Sequence, residues 1–345
     1  VNPIFFMARA APPMLPGWEV LTKIIRIFAC RSTVDTNYLT KGLLTVIFHS
    51  VKNRSASVSE SRFSGTMRAV ESSLGILFMQ PMVNIALRAA RQAGEMIVKA
   101  ADNLELVKVD EKGRHDFVTE VDRRSEEMII EQIKKAYPEH SFLGEEGGSS
   151  GNSASDVQWI IDPLDGTTNF VRGIPHVAVS IACRIKGRLE HAVIVEPFKR
   201  EEFTASRGDG ARLNGRRIRV SGRLEEAGAL YATGIPFSDP SFSEMKHYLA
   251  CMHEFADNSS GIRRLGVASL DLAYVAAGRM DVFWEMYLKP WDIAAGVLIV
   301  REAGGMVSDF QGGESFMDSG HIIATTPKLF KPTLKVIAKH LSHVK

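Results

Sequence analysis

The densest chemistry in the chain lies in residues 159–170, WIIDPLDGTTNF. Two carboxylates, Asp162 and Asp165, close an apolar run and stand three apart across Pro163, followed at once by Gly166 and the hydroxyls of Thr167 and Thr168. A loop leaving a buried strand can aim both carboxylates at one point, and Asp165-Gly166 is a good turn signal. A plainer reading competes, in which the segment only turns the chain and caps a helix. Other acids stand in similar settings. Glu145 and Glu146 follow an apolar stretch and precede two glycines, and Asp292 follows Trp291 at the head of an apolar helix, a natural N-cap. Asp116 and Asp122 flank FVTEV as capping or surface groups. If several of these groups converge, like charges are forced together, and a cation is the simplest way to keep them ionised. An all-oxygen set suits Mg²⁺, Mn²⁺ or Ca²⁺ better than Zn²⁺. The sequence has no HExxH, no His/Cys cluster, no GxSxG and no Walker A motif, and GDGARLNG at 208–215 reads as a hairpin.

Local elements must position these acids. Apolar residues at Met82, Ile85, Ala86, Ala89, Ala93, Met96 and Ile97 predict a helix opened by Pro81. The alternation from Leu104 to Val109 predicts a strand. Thr119 caps a second helix, with Met128, Ile129 and Ile133 on its apolar stripe and Pro138 beyond its end. SFLGEEGG reads as a strand entering a Gly-rich loop, 149–156 as a linker or surface loop, and VQWII as a buried strand ending at Asp162. Residues 177–186, 189–196 and 201–206 have strand character and short turns, which predicts an antiparallel or mixed sheet. Further helices are expected over 241–256, 267–277, 292–303 (amphipathic) and 328–342, with strands at MDVFWE and GHIIATT. This order predicts layered α and β structure.

Composition sets the outer bounds. The chain has 345 residues, 45% hydrophobic and 24% charged, which is ordinary for a globular protein. Cys30, Cys183 and Cys251 are scattered, which fits a reduced, cytoplasmic protein better than a disulfide fold. The net charge of +2 is uneven, since residues 1–78 carry nine Lys/Arg against four Asp/Glu, and the remainder is slightly acidic. The bulk of the chain therefore has no global electrostatic case for nucleic-acid binding, although Arg263-Arg264 forms a local basic patch. Residues 1–78 have weak periodicity, and their apolar runs are far shorter than the ~20 residues a membrane span needs. They read as a poorly structured extension, a transit peptide or a mis-assigned gene start. The last is preferred, because the chain opens on Val1 and a confident pattern begins only at Met79.

Four blocks in order then carry a resemblance: Gly144-Glu145-Glu146, Asp162 to Thr167 as DPLDGT, Trp291-Asp292, and Gly304-Gly305. The chain resembles the inositol monophosphatase family, in its bacterial SuhB-type branch, from residue 79 to 345. That family belongs to a magnesium-dependent, lithium-sensitive phosphatase superfamily. The resemblance implies an α/β (α+β) layered sandwich of the inositol monophosphatase / fructose bisphosphatase type, with 79–345 as the catalytic domain. It further implies two Mg²⁺ ions, one held by Glu145, Asp162 and the Leu164 carbonyl, the other by Asp162, Asp165 and Asp292. Glu145 would assist at a third, weaker ion. Thr167, with Asp122 behind it, would position and polarise the attacking water. Gly166 and Thr167 would offer backbone N–H groups to the phosphate, Glu285 would bind substrate hydroxyls, and Ala268 would line the inositol face. One departure is Val267, where a small hydroxyl residue often follows the glycine.

The implied reaction is hydrolysis of inositol 1-phosphate by metal-activated water, with no phosphorylated residue, in a homodimer without membrane contact. Relatives acting on fructose 1,6-bisphosphate, histidinol phosphate or 3′-phosphoadenosine 5′-phosphate share these motifs, so the motifs do not choose a substrate. SuhB-type proteins are also associated with transcription antitermination, which implies RNA polymerase and Nus factors as partners and gives Arg263 and Arg264 a second reading. A sugar-phosphate binder without turnover is the weakest alternative.

Overall fold

The computed structural model describes residues 80–113, 116–235 and 244–344. The extension over 1–78 and Cys30 lie outside the described residues. The first helix, α1 (Pro81–Ala101), has proline at its first turn and buries Val83, Ala86, Leu87, Ala90, Ala93 and Ile97 along one face. A 3₁₀ turn at Leu104–Leu106 follows, where the alternation had predicted a strand. Leu106 is 73% exposed, and extended pairing starts only at β1 (Val109–Gly113), which finds β2 (Asp116–Thr119) as its antiparallel partner. Alternation without a partner strand does not make a sheet. Thr119 caps α2 (Glu120–Ala136), as its sequence predicts.

The chain then builds β3 (Ser141–Gly144), β4 (Gly148–Gly151), β5 (Val157–Asp165), the short α3 (Thr167–Val171), β6 (Ala178–Ile185), β7 (Arg188–Glu196), β8 (Glu201–Ser206), β9 (Gly210–Leu213) and β10 (Arg216–Arg217). These strands form an eight-stranded sheet in the order β10-β9-β8-β7-β6-β5-β3-β4, antiparallel except where β3 runs parallel to β5. The predicted hairpin at 208–215 holds β9 and the two turns that pair it antiparallel with β8 on one side and β10 on the other. The predicted surface loop at 149–156 is partly the edge strand β4.

The remaining elements are β11 (Leu230–Thr233), α4 (Met245–Asp257), β12 (Gly261–Arg263), α5 (Ala268–Ala276), β13 (Val282–Glu285), α6 (Pro290–Glu302), β14 (Met306–Ser308), α7 (Phe316–Ser319), β15 (Ile322–Thr325) and α8 (Phe330–Leu341). They add a five-stranded mixed sheet in the order β12-β11-β13-β15-β14.

Three apolar cores separate five layers. α1 and α2 cover one face of the large sheet. α5 and α6 fill the space between the two sheets. α4 and α8 close the far side of the small sheet. The central layer explains one difference from the sequence pattern. α6 is buried all round from Ile293 to Val300, not amphipathic, because it has a sheet on each side and α5 against it. Gly296 admits that contact, since a Cβ there would press into Leu272. Among the described residues, no helix is long and apolar enough to cross a membrane.

Candidate active site

Strand β5 runs on past Asp162, its predicted end, to Asp165, and so carries the first two carboxylates. In an unbroken strand, residues three apart point to opposite faces. Asp162 pairs with Ser180 and Asp165 with Ala178, so β5 advances three residues while β6 advances two. This bulge at Pro163-Leu164 re-aims the strand, and Pro163 has no N–H to lose from the ladder. The freed groups are satisfied locally: Leu164 N–H donates to Asp162 Oδ1 at 3.1 Å, and Ser125 Oγ donates to the Pro163 carbonyl at 2.9 Å.

The other acids arrive from separate elements. Glu145 and Glu146 begin the turn between β3 and β4. Asp292 lies in the first turn of α6, but as its third residue, not its cap. Lys289 is the N-cap, and its backbone N–H donates to Asp292 Oδ2 at 2.7 Å. Asp165 Oδ2 accepts from the backbone N–H of Ser269, in the first turn of α5, at 2.8 Å.

These carboxyl groups act on one another electrostatically. Burial pushes the Asp162 carboxyl well above the usual range, and the charges of Glu145, Asp165 and Asp292 push it further. Asp292 is raised well above its ordinary value by burial, then by Asp165, Glu145 and Glu285. Asp165 is raised to about 6 by burial, against hydrogen bonds from Ser269 and Ala268. Each of these carboxyls therefore binds a proton unusually well, which is what crowded, desolvated carboxylates do without a cation. An all-oxygen donor set of this kind fits a hard divalent cation such as Mg²⁺.

Behind this cluster, one face of α2 is polar and buried at Asp122, Ser125 and Glu126. Asp122 accepts from the Thr119 backbone N–H at 2.9 Å and from the Thr119 hydroxyl, completing a capping box. Its other oxygen accepts from Thr167 Oγ1 at 2.8 Å. Glu126 accepts from the backbone N–H groups of Glu146 at 2.9 Å and Gly147 at 2.7 Å, and so shapes the turn that presents Glu145. A Cβ at Gly144 would collide with that carboxylate. Ser125 and Glu126 stand at i+3 and i+4 from Asp122, a spacing visible in the sequence, but only their burial against the site distinguishes them from a solvated polar face.

Glu285 ends β13, partly exposed, with its carboxyl raised to about 8 by burial, while Arg264 favours the ionised form. It packs on Gly234, where a Cβ would overlap it. Ala268 is buried at the start of α5. Gly166 is left-handed at φ 95°, and a Cβ there would come within 2.8 Å of the Val267 side chain. Val267 thus packs against the glycine turn. Arg264, read from sequence as a surface group, is exposed but acts electrostatically on Glu285 and on Asp271. Asp271, buried in α5 with neither oxygen hydrogen-bonded, is raised well above its ordinary value by burial and was not anticipated.

Elsewhere among the described residues, three side chains form a group that could hold a metal ion. Glu244, His247 and His343 each bring a ligand atom within 4.8 Å of the others. This group shares no residue with the carboxylate cluster, and His343 is too far along the chain for the sequence to show it beside Glu244 and His247.

Comparison with known proteins defines the class. The profile of the inositol monophosphatase family matches residues 79–343, and the chain belongs to that family. Family and fold make it a metal-assisted phosphomonoesterase of the inositol monophosphatase type.

Among individual relatives, it is 57% identical to the Nus factor SuhB of Pseudomonas aeruginosa over 266 residues, covering 76% of this chain and 98% of that one. It is 50% identical to the Nus factor SuhB of Escherichia coli over 264 residues, with 76% and 98% covered. The crystal structure of the extragenic suppressor protein SuhB from Bartonella henselae superposes with a TM-score of 0.73 at 41% identity, covering 76% of this chain and all of that one. The IMPase of Thermotoga maritima gives a TM-score of 0.69 at 33% identity, covering 77% of this chain and 100% of that one.

Proposed function

We propose that the chain hydrolyses inositol 1-phosphate and related phosphomonoesters with Mg²⁺. The observation that carries this is the convergence of Glu145, Asp162, Asp165 and Asp292 beside the Thr167–Asp122 pair. Glu145, Asp162, Asp165, Asp292 and the Leu164 carbonyl are the groups that would hold two ions, with Glu145 serving a third. When bound, the ions supply charge to the phosphoryl and leaving oxygens and make a nearby water more acidic.

The protein's own part is positioning. Thr167 Oγ1 donates a hydrogen bond to Asp122, which leaves a lone pair to accept a hydrogen bond from the attacking water and orient it. Asp122 is held in place by the capping box, so this orientation is set before substrate arrives. The backbone N–H groups of Gly166 and Thr167 take phosphate oxygens, Glu285 takes substrate hydroxyls, and Ala268 meets the ring. The water oxygen forms a bond to phosphorus as the ester P–O bond breaks. The attacking water gives up one proton and the leaving alkoxide takes one up, exchanged through solvent, giving inositol and phosphate. No side chain is placed as a nucleophile in this reading.

Phosphate release from inositol 1-phosphate tests it, measured with and without Mg²⁺ and with Asp165→Asn as control. Mg²⁺-dependent release that collapses in the variant supports the reading. A panel of fructose 1,6-bisphosphate, histidinol phosphate and 3′-phosphoadenosine 5′-phosphate separates the substrate alternatives. The Mg²⁺ dependence should be opposed by Li⁺. A homodimer belongs to the same proposal and is checked by sedimentation.

The names of the bacterial relatives motivate a second role, contact with RNA polymerase and Nus factors. Arg263 is exposed on β12 and available to such a surface. Polymerase capture that survives Asp165→Asn but is lost in Arg263→Ala would separate this role from catalysis.

A further inference from the structure

We propose that Glu244, His247 and His343 form a binding site for a Zn²⁺-class transition-metal ion, one that clasps the start of α4 to the end of the chain. Glu244 is the N-cap of α4 and His247 lies three residues on, so both side chains project from one face of its first turn. His343 lies two residues beyond α8, which packs on α4. Its Nε2 is hydrogen-bonded to Glu244 Oε2, and its ring meets that of His247 edge-on with centroids 4.7 Å apart.

The three ligand atoms lie within 4.8 Å of one another. Ligands on a tetrahedral zinc ion, with bonds of about 2.0–2.1 Å, stand roughly 3.3 Å apart. Both histidines are exposed, so small rotations of their side chains can close that gap. Two imidazoles and one carboxylate favour Zn²⁺ over Mg²⁺ or Ca²⁺, the reverse of the carboxylate cluster. Three protein ligands leave a fourth position for water. The same helix pair is already joined further along by His340 and Lys339 on Glu254, so an ion here would extend a line of contacts to the helix end.

The inference stands independently of the phosphatase reading. Full-length protein is titrated with Zn²⁺ in saturating Mg²⁺, so that the carboxylate cluster stays occupied by Mg²⁺. One equivalent should bind, with affinity falling about tenfold or more in His247→Ala and in His343→Ala. His253→Ala, an exposed histidine on the same helix, should bind as the parent does. Zn²⁺ should also raise Tm in the parent and not in the two variants, and Co²⁺ in its place should give visible absorption bands that the variants lack. Superimposable titrations for parent and variants, or Zn²⁺ uptake that Mg²⁺ abolishes, would overturn the proposal.

Discussion

A carboxylate held among other carboxylates away from water is unstable until a proton or a cation joins it. Asp165 faces that choice with Asp162 and Asp292 beside it. Asp165→Asn removes one charge and keeps the shape. We expect phosphate release to fall about a hundredfold or more, while the metal-free protein is no less stable; parallel activity and thermal-melt measurements check both. Thr167→Val removes the hydroxyl that orients the attacking water and should lower kcat about a hundredfold, with Mg²⁺ affinity little changed. His176 supplies a pH prediction away from the carboxylates. Burial, aided by the Lys199 charge, lowers its ring to about 4, and its Nδ1 accepts from Lys199 Nζ at 3.1 Å. The folded ring therefore resists protonation that the unfolded ring accepts near pH 6.5. Its contribution is intact above about pH 6.5 and is lost as pH falls from there towards 4, since the unfolded state binds more protons in that window. An NMR titration showing the His176 ring neutral at pH 5 would agree; a midpoint near 6.5 would not.

At the scale of elements, α2 serves as a rigid jig. Asp122, Ser125 and Glu126 project from one face and fix three different loops: the Thr167 turn, the β5 bulge and the β3–β4 turn. Sites borne on helices hold geometry better than loops alone. Glu126→Ala leaves two backbone N–H groups without their acceptor, at about 1–3 kcal/mol each if they stay dry. We expect a lower Tm and weaker Mg²⁺ dependence, although Glu126 is not among the expected ligands. Glu126→Gln, which keeps one acceptor oxygen, should recover part of both. Gly166→Ala tests the neighbouring turn. Its φ of 95° and the approach to Val267 should cost about 1–3 kcal/mol, with activity lost alongside.

The described residues stack five layers, and strand ends and helix starts supply the groups of the site. β3, β5 and β13 end there, and α3, α5 and α6 begin there, each giving a named group. Because the cluster is assembled from elements far apart in sequence, a bound cation should stabilise the global fold. Mg²⁺ at 100 times its dissociation constant should add about 2.7 kcal/mol, read as a Tm rise that EDTA reverses. The family profile covers 79–343, and the curated relatives are matched over 98% of their length by 76% of this chain. We therefore expect residues 79–345 alone to release phosphate at the rate of the full chain; a slower truncated form would give 1–78 a role in catalysis.

The order of elements was largely legible in the sequence, because apolar spacing in α1, β6–β8 and α8 reports local burial directly. The candidate acids were legible in three short blocks, Gly144-Glu145-Glu146, DPLDGT and Trp291-Asp292, whose residue types suit a hard cation. What the sequence could not show was direction. Asp162 and Asp165 look like a loop pair, and only pairing with β6 makes them a bulge. Asp292 looks like a cap, yet three-dimensional closure of the helix start puts Lys289 there. Glu126 and Ser125 look like ordinary polar residues of a solvated face, because nothing local says that the turn after β3 will fold over them. Glu244 and His247 share a helix turn, but His343 joins them only through the packing of α4 on α8. Residue type and spacing are one-dimensional properties and survive in the sequence; which groups face one another depends on long-range packing, and the tertiary structure alone decides it.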